Sequence, residues 1–220
     1  MKTTLSKEIP LVLIILVPFI YLAMIWNELP EQIAMQYDLN GNVSRYGSKS
    51  ELIMLNFLLP VLTYLIFLVI PKLNPKKKIE QMGNKFYYLR FILVLFMSAL
   101  AAYAVHTSRA GNDIQPGMVF MIIGLMFAVL GNYLQSVKPN YFIGIRTPWT
   151  LENEEVWKKT HKLGGKMWFV SGLLLTALGF LLPLNIYVCV FMAGLVIMTL
   201  IPTIYSYRLS KKGDTTVSNN

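Results

Sequence analysis

The chain of 220 residues is 55% hydrophobic and only 14% charged, with a mean hydropathy of +0.52. A soluble domain carries about 25% charged residues, so this composition excludes an ordinary water-coated globule and makes lipid the natural solvent. The net charge of +9 does not require nucleic acid, because its distribution along the chain reads as a membrane-topology signal. The single cysteine, Cys189, lies in an apolar run, which excludes a disulfide framework within one chain.

In chain order, six apolar runs cover residues 9–26, 52–70, 91–106, 117–134, 167–183 and 186–204. Each approaches the roughly 20 helical residues needed to cross a hydrocarbon core. In lipid each segment must satisfy its own backbone hydrogen bonds, so all are expected to be helices. The first run ends in Trp26-Asn27-Glu28-Leu29-Pro30 and lacks a small-residue cleavage site, which reads as a retained span. Pro18 and Pro60 fall inside runs and are expected to kink them. The third run is short unless its helix starts near Phe86 and Arg90 snorkels outward.

Residues 27–51 separate the first two runs. Asn40-Gly41 is a two-residue hairpin signal, since both residues accept positive φ. Residues 33–39 and 42–46 are expected to pair across it. Ser48-Lys49-Ser50-Glu51 has capping-box spacing ahead of Leu52. Asp38, Asn40, Asn42 and Ser44 alternate like calcium ligands, but Gly41 is at the wrong offset and no Glu stands at the twelfth place. The expectation is a plain turn with no metal.

Residues 140–165, NYFIGIRTPWTLENEEVWKKTHKLGG, are the polar interruption of a greasy chain. Thr147-Pro148 reads as an N-cap followed by Pro at the first helical position. Glu154 and Glu155 precede Lys158 and Lys159 by four residues, which suits both pairing and the helix dipole. Gly164-Gly165 is expected to end this helix. Trp149, Asn153, Val156, Trp157, Thr160 and Leu163 fall on one face. An interfacial amphipathic helix accounts for most of the composition. Arg146, just ahead of a helix N-terminus, is either an anion site or a structural Arg bound to a loop carbonyl or a lipid phosphate. His161, next to Lys162, reads as a surface residue, and His106 as an interfacial one.

Except for Arg45, Lys49 and Arg109, every Lys and Arg falls on one side of such a six-span arrangement. The excess of cations marks that side as cytoplasmic, with both termini inside and the 140–165 segment with them. The run Lys76-Lys77-Lys78 is expected to meet anionic membrane lipid.

The stretch GNYLQSVKPNYFIGIRTPWTLENEEVWKKTHKLGGKMW, above all its core from Asn140 to Thr150, resembles the signature of the SdpI family of bacterial membrane proteins. Leu29-Pro30, Gly41 and Tyr46-Gly47-Ser48-Lys49 are similar to the DUF1648-like domain that often precedes it. Gln36-Tyr37 departs from the His-Phe or His-Trp common there, and Ser44 from Asp.

The resemblance implies an all-α polytopic membrane protein with an N-terminal two-span domain (1–90), a four-span domain (91–210) and a disordered tail (211–220). It implies a non-enzymatic immunity protein of the bacterial cell membrane, needing no cofactor and protecting against a secreted toxic peptide of the sporulation-delaying type. It further implies a receptor that retains a small ArsR-type repressor at the membrane, without itself binding nucleic acid. The binding candidates are Asn140, Arg146, Thr147, Pro148, Trp149, Trp157, Thr160 and His161 in the connector. In the outer loop they are Gln36, Tyr37, Asp38, Asn40, Gly41 and Lys49.

Two other classes stay open on the residues. His161, Glu152, Glu154 and Arg146 could supply acid–base chemistry to a lipid- or peptide-modifying enzyme, although no HExxH, GxSxG or paired intramembrane carboxylate is present. A peptide exporter would need polar groups at mid-membrane depth, where only Thr63, Thr176 and Thr199 stand, each suited to bonding its own helix. Gly124 and Gly131, like Gly172 and Gly179, are spaced for close helix packing.

Overall fold

The computed structural model describes residues 5–73, 82, 84–110, 115 and 117–217. The Lys76-Lys77-Lys78 run lies outside them. Helix α1 is Leu5–Ile25, followed by strands β1, Ile33–Tyr37, and β2, Val43–Gly47. Helices α2, Lys49–Asn56, and α3, Leu62–Val69, are joined through a π turn at Phe57–Val61. Then come α4, Asn84–Ala110, and α5, Gly117–Leu134. A connector holds the short α6, Pro148–Glu152, before α7, Glu154–Leu178, and α8, Leu184–Val217.

Among the described residues, five helical segments are long and apolar enough to cross a membrane: Leu5–Glu28, Lys49–Val69, Asn84–Arg109, Gly117–Leu134 and Leu184–Lys211. The expected fifth run, 167–183, ends differently. Gly164 and Gly165 do not stop a helix; α7 runs through them, so its charged first half and apolar second half form one rod. Both glycines are buried against neighbours, Gly164 against Ile145 and Pro202 and Gly165 against the Gly131 carbonyl. Packing, not chain termination, is their role. Likewise α8 continues to Val217, past the expected tail boundary at 211.

Among the described residues, the non-helical backbone gathers at two ends of the bundle. The hairpin end holds β1 and β2, paired antiparallel with Ile33 opposite Gly47 and Tyr37 opposite Val43. The other, here the connector end, holds residues 135–153. Pro60 costs a helix one backbone donor, and the π turn around it, with Thr63 Oγ1 donating to the Leu59 carbonyl at 2.6 Å, absorbs the defect. Thr176 and Thr199 donate back to Gly172 and Leu195 of their own helices, as their positions suggest.

Arg90 does not snorkel. It is 2% exposed and pairs with Glu8 of α1 at 2.5 Å. Glu8 also accepts from the Tyr64 hydroxyl at 2.7 Å, and the guanidinium lies over the Tyr64 and Tyr87 rings. One buried ion pair thus ties α1, α3 and α4 together near the connector end. Glu8 stands alone between Lys7 and the first apolar run, a signal that charge counting passes over.

The α5–α7 pair makes the most extensive helix contact, and glycine makes it possible. A Cβ on Gly131 would overlap the Phe169 amide nitrogen and the Gly165 carbonyl oxygen; one on Gly172 would overlap the Ala128 nitrogen and the Gly124 carbonyl oxygen. Backbones this close gain dispersion and leave no room for any side chain. Gly179 meets the Met121 side chain instead. Gly172→Val is therefore expected to lower stability by about 1–3 kcal/mol, the usual cost of overpacking. Gly117→Ala, whose new Cβ would sit 3.8 Å from the Tyr187 ring, should be tolerated. Thermal unfolding in detergent compares the two.

Candidate functional site

The connector is built on Asn140. Its Nδ2 donates to the Lys138 and Ile143 carbonyls at 2.9 and 3.0 Å, and its Oδ1 accepts the Phe142 and Ile143 amides at 2.8 and 2.7 Å. One buried side chain therefore closes the loop using its full donor and acceptor capacity. Gly144 follows with φ +115, and a Cβ there would strike His161 Nε2. That nitrogen accepts the Ile145 amide at 3.0 Å, which leaves Nδ1 as the protonated one, 2.9 Å from the Trp157 carbonyl it donates to.

His161 is thus a buried brace, 1% exposed, and not a surface residue. Helix α7 turns it inward, stacked on Trp157 with 4.0 Å between ring centroids. Burial lowers its pKa to about 4, so the imidazole stays neutral near pH 7. Both ring nitrogens are spent on backbone partners, leaving none to act as a base.

Trp157 is itself fully buried and donates its indole N–H to the Val137 carbonyl at 2.9 Å. It anchors the connector inside protein rather than at headgroup depth. Thr160 is buried alongside. Thr147 caps α6, accepting the Thr150 amide, with Pro148 at the first helical position as its residue type suggests. The Thr147 hydroxyl lies 3.0 Å from Ser206 Oγ of α8. Asn153 breaks the expected continuous face: its Oδ1 accepts the Glu155 and Val156 amides at 2.8 and 3.2 Å and starts α7 afresh. Lys159–Glu155 forms at 2.6 Å and Lys158–Glu154 at 4.0 Å, exposed pairs of little energetic weight.

Arg146 is exposed and donates to the Tyr141 carbonyl at 2.5 Å, the loop-carbonyl arrangement of the two left open by sequence. Trp149 packs on Tyr207 of α8, 5.0 Å between centroids. With Tyr141 and Leu151, both exposed, these side chains form the outward surface of an otherwise inward-bonded module.

At the hairpin end Asp38 organises the turn. Its carboxylate accepts the Asn40 and Asn42 amides at 2.9 and 2.8 Å and the Asn42 side chain at 3.2 Å. These bonds, the Asn42 amide first, hold its pKa below the usual value and keep it ionised. Gly41 supplies the positive φ of 87. Arg45 pairs with Glu51, Lys49 with Glu31 and Arg109 with Glu28, and Glu51 completes the capping box on Ser48. Beneath β1 lies a cavity of about 470 Å³, with Gln36, Tyr37 and Asp38 among its lining and a floor of apolar residues from α2, α4, α5 and α8. His106, at the same end, is 2.9 Å from the Tyr21 hydroxyl.

These two ends coincide with two recognisable sequence segments. Residues 136–206 match the SdpI/YfhL protein family. Residues 13–63 match a domain of unknown function, DUF1648. Over 215 residues the chain is 28% identical to the Immunity protein SdpI of Bacillus subtilis (strain 168), covering 94% of this chain and 97% of that protein. No solved structure matches. The SdpI resemblance carried by Asn140 to Thr150 therefore extends along nearly the whole chain, and the long apolar helices fit a multi-pass membrane protein.

The SdpI-type signature gathers Asn140, Trp157 and His161 around one loop, and Thr147 and Thr150 at its exit. Arg146, Pro148 and Trp149 stay on its outer side. In the hairpin, Gln36, Tyr37 and Asp38 reach the cavity, whereas Asn40 and Gly41 serve the turn and Lys49 is paired with Glu31. The cavity's other walls, including Leu100, Tyr103 and Thr107 of α4, carry no sequence signal: they look like any apolar span.

Because His161 binds its proton far less readily folded than unfolded, stability from this brace is complete above pH 6.5 and is lost as pH falls toward about 4. The expected outcome is faster hydrogen exchange at the Ile145 amide, relative to the intrinsic rate, on acidification through that window. His161→Ala should exchange fast at every pH.

Proposed function

We propose that this chain is a membrane immunity protein that protects a bacterial cell from a secreted antimicrobial peptide of the sporulation-delaying type. The observation that carries this reading is the end-to-end likeness to a protein named as an immunity protein, spanning 94% of this chain and 97% of that one. The reading assigns six spans, with α7 as the fifth through its apolar half, and puts both termini and the connector in the cytoplasm of the cell membrane. Lys and Arg placement supports this orientation. The hairpin then faces outward, where a secreted peptide arrives.

The reading assigns no reaction. In support, the one buried imidazole of the connector has both nitrogens committed to backbone groups, and the connector's polar groups bond one another rather than converge on an open point. The same reading extends to signalling: the exposed Tyr141, Arg146 and Leu151, beside Trp149, form a cytoplasmic surface for a small ArsR-type repressor. Coupling the two ends requires that toxin and repressor prefer the same one of two helix arrangements. Membrane lipids surround the spans, and nothing here calls for nucleic acid.

Expression in a cell sensitive to a sporulation-delaying peptide tests immunity. The expected outcome is growth at peptide concentrations that kill the control. Killing unchanged across peptides of that class would overturn the reading. Arg146→Ala and Trp149→Ala should weaken signalling to a repressor reporter, or protection, at unchanged membrane levels, because both lie on the outer side of the connector.

A further inference from the structure

The cavity at the hairpin end is not explained by the fold. Its volume of about 470 Å³ falls within the roughly 300–1,000 Å³ typical of pockets that enclose small ligands. The floor is apolar, formed by residues such as Leu52, Leu100, Ala104 and Val188. The hydroxyls within it are occupied: Thr107 and Ser108 donate to carbonyls of their own helix, and Tyr103 donates to the Gln115 carbonyl at 2.8 Å. An occupant therefore finds hydrophobic surface inside and few open hydrogen-bonding groups.

The rim is different. Gln36, Asp38 and Leu39 are exposed there. Around it the charges cancel in pairs, Arg45 with Glu51, Lys49 with Glu31 and Arg109 with Glu28. Asp38 has no ion pair among the described residues, and its hydrogen bonds keep it negative. A phospholipid tail entering here would bring its anionic phosphate toward this carboxylate. An apolar peptide segment with a Lys, Arg or free amino group at its end would bring the opposite charge.

We infer that the cavity beneath the hairpin is the site that receives an apolar peptide segment, with Asp38 at its mouth holding a cationic group next to that segment. The assignment rests on the immunity reading for the biological origin of the peptide, but the binding chemistry stands on the cavity and its rim. Gln36, exposed on β1 beside Asp38, adds a side-chain amide for the peptide backbone.

The test uses the full chain in phosphatidylcholine nanodiscs, with Cys189→Ser and Leu39→Cys introduced and a bimane fluorophore on the rim cysteine. The probes are two N-acetylated synthetic peptide amides, acetyl-Lys-Leu-Val-Leu-Val-Leu and its counterpart beginning with Glu, so that the first side chain alone sets the charge. The expected result is a saturable spectral shift with the Lys peptide. Binding should be at least ~10-fold weaker, about 1.4 kcal/mol, for the Glu peptide and for the Asp38→Asn protein.

Two variants on different walls, Ala104→Trp and Val188→Trp, should each abolish the shift by filling the space. Variants that keep the wild-type elution profile and circular dichroism are the ones compared. Equal binding of both peptides, or unchanged binding in both filled variants, would overturn the assignment. So would strong quenching of the bimane by brominated phosphatidylcholine tails that the Lys peptide fails to relieve, since lipid would then be the occupant.

In peptide-sensitive cells the two readings separate. Wild-type protection that persists in both filled variants removes the cavity and leaves immunity standing. Charge-dependent binding in nanodiscs without protection in cells keeps the cavity and removes immunity.

Discussion

An apolar slab offers no hydrogen-bond partner to a backbone amide or carbonyl, and an unsatisfied group there costs several kcal/mol. That constraint sorts this chain. Among the described residues, everything that is not helix is pushed to two ends, and each end must bond to itself. At the hairpin end Asp38 satisfies the turn amides; at the connector end Asn140 closes a loop with four hydrogen bonds. Inside the spans, the π turn around Pro60 and the back-bonded Thr63 repair one defect. The Glu8–Arg90 pair meets the same demand for charge, since neither ion is left without the other.

With polar groups at the ends, helix association within the slab rests on packing. The glycines of α5 and α7 bring two backbones into contact, and this contact places the start of α7 under the connector. His161 and Trp157 then stand where the loop needs a brace. The signature residues therefore answer one requirement, a non-helical crossing that carries its own partners. The side chains left over, Arg146, Trp149, Tyr141 and Leu151, face outward from a rigid base. A surface on a rigid base suits recognition better than one on a mobile loop.

Local features were legible in sequence where a single residue's chemistry decides the geometry. Asn40-Gly41 marks the hairpin turn, Ser48 with Glu51 marks a capping box, and Thr147-Pro148 marks the start of α6; each appears as its chemistry requires. Features decided by distant partners were not. Gly164-Gly165 reads as a stop signal locally, yet tertiary contacts with Ile145, Pro202 and Gly131 carry the helix through. His161 beside Lys162 reads as exposed, yet the Ile145 amide and Trp157 claim it. Arg90 reads as a snorkelling cation because its partner, Glu8, is most of a hundred residues away along the chain. The cavity is illegible for a simpler reason: its helical walls are mostly apolar side chains, with a few hydroxyls spent on carbonyls, that look in sequence like lipid-facing ones.

The separation of two chemically distinct ends by one apolar belt is most directly tested by accessibility in whole cells. Single cysteines at Asn40 and Asn153, in a Cys189→Ser background, are treated with a maleimide that cannot cross the bilayer. The expected result is labelling of the Asn40 position in intact cells and of the Asn153 position only after permeabilisation. Labelling of the Asn153 position in intact cells would contradict it, placing connector and hairpin on the same side.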